Sequence, residues 1–226
     1  MSINKESYKS IAAELGDDVT LVAVSKTKPV EDILELYTLG HRDFGENYVQ
    51  ELVSKQEQLP KDIRWHFIGH LQSNKVKFIA PFVHLIHGVD SFKLLKEINK
   101  NGERSNRTIN CLVQVHIARE ETKFGLDENE LNELVINLVS HPMKHVNLLG
   151  LMGMASLTEN MDTVRAEFRR LRNLYDQLQN SIPVAFRIKF QILSMGMSGD
   201  FKVAIEEGSN MVRIGSLIFG DRNQGT

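Results

Sequence analysis

The sequence predicts an α/β protein, a single (β/α)8 TIM barrel with an extra N-terminal helix. Short apolar strands alternate with amphipathic helices along the whole chain, the order that gives a parallel sheet through right-handed crossovers. Eight such strands are present, which is the number that closes a barrel of this type. The length of 226 residues also suits one α/β barrel. We therefore expect one domain over residues 1–226.

Each predicted strand is an apolar stretch that is followed by a helical pattern. The strands are predicted at residues 21–26, 43–47, 64–69, 85–89, 109–117, 146–154, 189–195 and 210–214. The helices are predicted at residues 5–15, 30–40, 48–58, 74–80, 92–101, 128–140, 161–180 and 198–206, with Ser198 as the cap of the last one. An open doubly wound sheet is the main alternative, but its glycine-rich fingerprint is missing after the first strand.

Composition excludes several classes of protein. The 27 basic and 29 acidic side chains give a net charge of −2, so no global field attracts nucleic acid or a membrane surface. The single cysteine, Cys111, cannot form an internal disulfide and is interpreted as a buried small hydrophobe in a reducing compartment. The chain contains neither an apolar run of ~18 residues nor an apolar N-terminal segment. We expect a cytoplasmic protein.

The first strand ends in an unusual residue, Lys26. A period of two puts Val22, Val24 and Lys26 on one face, and a lysine is rarely buried there without a partner. Such a lysine either extends its ammonium to solvent or serves as an amine nucleophile whose pKa its surroundings lower. Active sites of barrels lie at the carboxyl ends of the strands, which is where Lys26 is predicted.

Other strand ends are expected to share that face. They supply Asn47, His66 or His70, His87, Met154, Ser194 and Arg213. Asn47 is also a candidate cap for the helix that follows it, and Arg213 is also a candidate for a surface ion pair. His66 and His70 share a face, but the sequence has neither a cysteine pair nor an H-E-x-x-H helix, so we predict no metal site.

Two glycine-bearing turns follow the seventh and eighth predicted strands, SMGMS at 194–198 and RIGS at 213–216. Barrels typically bind phosphate in these loops, where small residues let backbone N–H groups approach an anion and Ser194 and Ser216 add hydroxyl donors. The alternative is that the glycines only punctuate the loops. The EETKFG segment at 120–125 is interpreted as a solvated turn.

A set of seven stretches covers nearly the whole chain: VAVSKTKP, DFGENYVQE, WHFIGHLQSNK, EETKFG, GLMGMA, LSMGMSGDF and MVRIGSLIFG. Together they resemble the YggS/PROSC family of pyridoxal-phosphate homeostasis proteins. The family is related to the barrel domain of bacterial alanine racemase and to the N-terminal part of ornithine decarboxylase. The resemblance implies a (β/α)8 barrel that holds pyridoxal 5'-phosphate (PLP) as a Schiff base on Lys26.

The resemblance also implies roles for the remaining candidates. Ser194, Met195, Gly215 and Ser216 belong to the turns that hold the phosphate, Arg213 faces the pyridine nitrogen, and Asn47 and Met154 line the cofactor. An arginine cannot accept the proton of the ring nitrogen, so the nitrogen stays neutral and PLP is a weak electron sink, which disfavours transamination and decarboxylation.

The implied function is PLP homeostasis with little or no turnover. Racemisation needs a base on each face, and Lys26 supplies only one; in alanine racemase the other comes from an additional domain, which these 226 residues do not contain. PLP-dependent apo-enzymes are expected as transient partners, and the chain is expected to be a monomer. One alternative is a PLP-dependent amino-acid racemase whose second base is water, His66, His70 or Tyr48. Another is a class I aldolase-like barrel, although its lysine usually lies on a later strand.

Overall fold

The computed structural model describes residues 3–119, 124–181 and 190–220 and shows a closed barrel of parallel strands. Each strand pairs with the next one along the chain, and β1 pairs with β8 to close the circle. The strands are β1 Thr20–Val24, β2 Asp43–Glu46, β3 Arg64–Phe67, β4 Leu85–Val89, β5 Ile109–Val115, β6 Val146–Gly153, β7 Ile192–Ser194 and β8 Met211–Ile214. The prediction of a (β/α)8 barrel is confirmed.

Helices surround this barrel. They are α1 Lys5–Leu15, α2 Val30–Thr38, α3 Val49–Gln58, α4 Val76–Ile79, α5 Phe92–Arg104, α6 Glu128–Ser140, α7 Met161–Ser181, α8 Phe201–Glu206 and α9 Ser216–Phe219. The extra N-terminal helix is α1, which begins at the Asn4 cap and ends at Gly16, whose φ of 60° suits glycine. Within the described ranges, no helix is long and apolar enough to cross a membrane.

Local sequence signals explain where α6 begins. The Asp127 carboxylate accepts from the Glu130 N–H at 2.9 Å, and the Glu130 carboxylate accepts from the Asp127 N–H at 2.9 Å. This capping box satisfies two N–H groups that a helix start otherwise leaves unpaired. The helix buries Leu131, Leu134 and Leu138, the stripe that its period predicts.

Apolar side chains form two separate cores because successive strand residues point to opposite faces. Leu21 and Ala23 lie in the large core between strands and helices. Val22 belongs to a smaller cluster inside the barrel, together with residues of four other strands: Leu85, Leu112, Met152 and Met211. The predicted face of β1 is therefore the barrel interior.

The boundaries differ from prediction where a turn takes over the end of an element. β1 ends at Val24, so Lys26 lies in the following turn and is not the last strand residue as predicted. The helix after β7 begins at Phe201 with Asp200 at its cap position, so the prediction that Ser198 caps it is wrong. Residues 74–80 divide into a 3-10 turn, Ser73–Lys75, and the short α4.

Candidate functional site

A cavity of about 630 Å³ opens at the carboxyl ends of the strands, within the usual size range of small-molecule sites. Its lining comes from the turns after most of the strands. The lining residues are Val24, Lys26, Lys28, Asn47, Ile68, Gly69, His70, Gln114, Phe124, Met154, Leu157, Met197, Ser198, Gly199, Arg213, Gly215, Ser216 and Gly220.

Positive charge dominates this cavity. Lys26, Lys28 and Arg213 line it, and none of the lining residues in the described part of the chain is acidic. A cleft with one sign of charge concentrates ligands of the opposite sign, so the lining favours an anionic ligand.

Backbone and side-chain contacts fix the turn that carries Lys26. The Ser25 N–H donates to the Gly45 carbonyl at 3.0 Å, and the Lys28 N–H donates to the Ser25 carbonyl at 3.0 Å. Thr27 adopts a φ of 64°, and its N–H donates to Glu51 Oε1 at 2.6 Å. A left-handed conformation in a β-branched residue costs about 1–3 kcal/mol, and such strain persists only where surrounding contacts impose it.

A buried ion pair lies behind this turn. Lys55 Nζ contacts Glu46 Oε1 at 2.7 Å, with side-chain exposures of 6% and 0%. The same ammonium donates to the Ser25 carbonyl at 2.8 Å, and the Ser25 hydroxyl donates to Glu46 Oε1 at 2.6 Å. Burial raises the pKa of Glu46, and the charge of Lys55 opposes that rise. The pair therefore links α3 and β2 to the residue that precedes Lys26.

Asn47 has a different role from a helix cap. α3 has Tyr48 at its cap position and no side-chain capping bond, so the cap prediction is wrong. Asn47 lines the cavity, and its Oδ1 is buried with no hydrogen-bond partner among the described residues. Since buried polar atoms in native proteins are normally satisfied, this acceptor is available to a bound ligand.

The turns after β7 and β8 meet at one end of the cavity. Ser198, Gly199, Gly215 and Ser216 all line it, and the Gly215 N–H donates to Ser198 Oγ at 3.4 Å. Gly196 has a φ of 98°, and a Cβ there would lie 2.6 Å from Ala204 Cβ. The close packing of the β7 turn against α8 therefore requires glycine at that position.

Arg213 is buried in the barrel and is not in a surface ion pair. It is 4% exposed, donates from Nη1 to Ser194 Oγ at 2.6 Å, and donates from Nη2 to the Gly153 carbonyl at 3.0 Å. Burial lowers the pKa of Arg213 to about 10, so the guanidinium stays cationic at neutral pH. The structure places Ser194 behind Arg213 rather than on the cavity surface, and it places Met195 in the core between strands and helices.

Among the histidine candidates, only His70 lines the cavity. His70 Nδ1 lies 3.0 Å from Asp90 Oδ2, and its ring stacks on Phe124 with the centroids 4.3 Å apart. Phe124 belongs to the segment that was interpreted as a solvated turn; residues 120–123 of it lie outside the described residues. Tyr48 is 58% exposed and is not part of the lining.

His66 and His87 lie inside the barrel, below the cavity. Ligand atoms of Asp43, His66 and His84 come within 4.8 Å of one another at the amino ends of the strands, a grouping that the sequence analysis did not predict. The Arg64 guanidinium donates to both oxygens of the Asp43 carboxylate, and His66 Nε2 lies 3.0 Å from Asp43 Oδ1. The group is assembled as an ion-pair and hydrogen-bond network.

Several lining residues escaped the sequence analysis. Lys28 is two residues beyond Lys26 in the same turn, and it donates to the carbonyls of Phe219 at 2.8 Å and Gly220 at 3.1 Å. Ser198 was assigned to a helix cap, although it also belongs to the SMGMS turn that was predicted to bind phosphate. Gln114, which donates to the Phe124 carbonyl at 2.9 Å, had no such signal because it lies inside an apolar strand.

Comparison with known families agrees with this architecture. The model of the alanine racemase N-terminal domain matches residues 4–223. The chain belongs to this family.

Several curated relatives carry the same name. The pyridoxal phosphate homeostasis protein of Aquifex aeolicus is 46% identical over 203 residues, which cover 89% of this chain and 86% of that protein. The human protein of the same name is 39% identical over 214 residues, which cover 90% of this chain and 76% of that protein.

Solved structures of other proteins have the same fold. PipY of Synechococcus elongatus, solved with PLP bound, superposes with a TM-score of 0.87 at 34% identity and covers 95% of this chain and 99% of its own. Alanine racemase from Bartonella henselae superposes with a TM-score of 0.72 at 17% identity, over 96% of this chain and 59% of its own. This second likeness shows the shared barrel.

Proposed function

We propose that this protein binds PLP in the cavity at the carboxyl end of the barrel, with the Lys26 amine as the point of covalent attachment. The observation that carries the proposal is that a single cavity brings together a lysine amine, an unsatisfied amide oxygen, a buried arginine and two glycine-bearing turns. The PLP of PipY and the name of the curated relatives support it.

The residues of the cavity fit the parts of this cofactor. Ser198, Gly199, Gly215 and Ser216 offer hydroxyl and backbone N–H groups to a phosphate, the chemistry that phosphate sites of barrels share. Of the other lining residues, Met154 offers apolar contact to a planar ring, and Asn47 offers its unsatisfied acceptor. When bound, PLP supplies an aldehyde that an amine can attack and a ring that accepts electrons.

Arg213 limits what chemistry the site supports. Its guanidinium only donates hydrogen bonds, so it cannot take a proton from a ring nitrogen that it contacts. In this proposal Arg213 holds that nitrogen neutral, and Lys26 acts as a reversible tether rather than as a base in a catalytic cycle.

We propose accordingly that the protein serves PLP homeostasis with little or no turnover. In this role it is a monomer of one domain over residues 1–226, works in the cytoplasm, and passes the cofactor to PLP-dependent apo-enzymes through transient contacts. The buried single thiol supports a reducing compartment.

Absorption spectroscopy with borohydride reduction tests the attachment site. The protein incubated with PLP should show a visible band, and reduction followed by peptide mapping should place the label on Lys26. Lys26→Ala should lose the band and the label, while Lys28→Ala, which removes the other lysine of the cavity, should keep the label on Lys26. The absence of a band, or a label on Lys28 in the unaltered protein, contradicts the proposal.

A second candidate function is racemisation of an amino acid, and the His70–Asp90 contact favours it. A histidine that a carboxylate orients is the usual arrangement of a general base, and His70 lines the same cavity as Lys26. Exchange of the α-proton of D- and L-alanine in deuterated water separates the candidates. Exchange at ordinary enzymatic rates that His70→Ala abolishes would replace the homeostasis proposal.

A further inference from the structure

A continuous chain of hydrogen-bonding side chains crosses the barrel interior beneath the cavity. His66 Nε2 lies 3.0 Å from Asp43 Oδ1, and His66 Nδ1 lies 3.0 Å from His87 Nε2. His87 Nδ1 lies 3.3 Å from Ser194 Oγ, which accepts from Arg213 Nη1 at 2.6 Å. All five residues are at most 8% exposed, and we call them the polar column.

When each histidine ring carries a single proton, the two ends of the polar column fix the direction of every hydrogen bond in it. A guanidinium has donors only, and an ionised carboxylate has acceptors only. Arg213 therefore donates to Ser194, whose hydroxyl donates to His87 Nδ1. His87 Nε2–H then donates to His66 Nδ1, and His66 Nε2–H donates to Asp43.

In this direction each histidine donates from Nε2–H and accepts at Nδ1. Burial, reinforced by the nearby positive charge of Arg213, holds the pKa of His87 well below its ordinary value. Burial alone would raise the pKa of Asp43, but hydrogen bonds from His66 and Arg64 outweigh it and hold that pKa below its ordinary value. A neutral His87 and an ionised Asp43 are the states that the geometry requires.

We propose that His66 and His87 are positioning residues for Arg213, a role that rests on the proposed binding of PLP. Ser194 and the Gly153 carbonyl each take a guanidinium N–H, so the plane of the group is held from two sides. The column also aligns hydrogen-bond dipoles from Arg213 toward the Asp43 carboxylate. It thereby stabilises a cation in the barrel interior and orients its remaining N–H groups for the cavity.

Nitrogen-15 NMR of the histidine side chains tests the column without any cofactor. At neutral pH, His66 and His87 should both give the pattern of a neutral ring protonated at Nε2. A charged ring, or a proton on Nδ1 of either residue, overturns the assigned direction and with it the proposal.

Variants of His87 test the effect on the cofactor. His87→Leu breaks the column and leaves the Ser194 hydroxyl without the acceptor that orients it toward Arg213. We therefore expect about tenfold weaker PLP binding and a shifted visible band. His87→Gln keeps an acceptor toward Ser194 and a donor toward His66 and should restore both properties. His84→Gln is the matched control, since its ring packs on His66 at 5.3 Å without joining the column.

The outcomes separate this inference from the proposed function. If His87→Leu binds PLP and absorbs like the unaltered protein, or if His87→Gln departs as far as His87→Leu, the positioning role is overturned while PLP binding stands. If the unaltered protein does not bind PLP, the proposed function fails, and the NMR measurement still decides the state of the column. Ser194→Ala breaks the same link with a smaller change in volume and replaces His87→Leu if that variant does not fold.

Discussion

Replacing Lys55 by methionine should be among the most destabilising changes outside the apolar core. The substitution removes the ammonium that contacts Glu46 Oε1 and leaves a carboxylate of 0% exposure in place. The other oxygen of that carboxylate, Oε2, already has no partner among the described residues. Removing one member of a buried ion pair costs about 3–5 kcal/mol, because the remaining charge is left without compensation.

That cost is a large part of the roughly 5–15 kcal/mol by which a typical domain is stable. For a protein of this size we expect the melting temperature of Lys55→Met to fall by roughly 6–20 °C. The loss should also loosen the Lys26 turn, since Lys55 donates to the Ser25 carbonyl, and PLP binding should weaken with it.

Urea unfolding of Lys55→Met, Glu46→Gln and the double variant gives the coupling between the two side chains. The double variant should be less destabilised than the sum of the single variants, because it leaves no buried charge. Lys5→Met is the matched control: Lys5 and Glu35 are also 2.7 Å apart, but their side chains are 51% and 27% exposed. Its unfolding midpoint should stay near that of the unaltered protein.

The pH dependence gives the same prediction a second test. Burial raises the pKa of Glu46, and without Lys55 that pKa should rise further. Folded Lys55→Met then holds a proton on Glu46 that the unfolded chain releases. The loss in free energy of unfolding, relative to the unaltered protein, is therefore smallest below the ordinary carboxyl pKa of about 4.3, and it grows as pH increases toward the raised pKa. A deficit below about 1 kcal/mol at pH 8, with no coupling in the double variant, would refute a buried ion pair at this position.

Three further predictions concern positions outside the cofactor site or at its edge. Gly150→Ala should lower the free energy of unfolding in urea by more than about 2 kcal/mol, because φ is 154° and a Cβ would overlap the Ile192 carbonyl oxygen. Gly199→Ala is the control: nothing lies within 4 Å of its Cβ, so its unfolding midpoint should not change. Burial raises the pKa of the Cys111 thiol, so Ellman's reagent should label this thiol only after unfolding, and labelling of the native protein would contradict its burial. Asp43→Asn should lower the urea midpoint at neutral pH. Since the pKa of Asp43 is held below its ordinary value, the difference in urea midpoint between the variant and the unaltered protein should shrink as pH falls below about 4. A difference that is constant from pH 3 to 7 would contradict an ionised Asp43.

The alternation of elements and the face of β1 were predictable because both depend on local periodicity. Val22 and Val24 face the barrel interior, as a period of two requires, and the turn that follows carries Lys26 to the cavity. Ser198 was predicted both in a phosphate turn and as a helix cap, because a serine before a helical pattern is equally suited to the two roles. Only the position of Gly215 beside it decides between the two roles.

The polar column could not be predicted in the same way. His66 and His87 sit on adjacent strands, but their contact depends on a register that the strands themselves do not specify. Ser194 meets His87 across the barrel, from strands separated by 107 positions in the chain. Lys55 likewise lies in a helix whose polar residues mostly face solvent, and only the tertiary packing of α3 against β2 shows that it is buried.

The contact of Lys28 with the carbonyl of Phe219 has a consequence for how the protein folds. The two residues are 191 positions apart, and the cavity that they border also needs Lys26 from the first turn and Ser216 from the last. Contacts of such sequence separation form only when the entropy cost of closing a long loop is overcome. The cavity therefore does not exist until β1 and β8 pair. A ligand that binds the cavity binds only the closed barrel, so PLP should raise the free energy of unfolding by mass action and stabilise the pairing of β1 with β8.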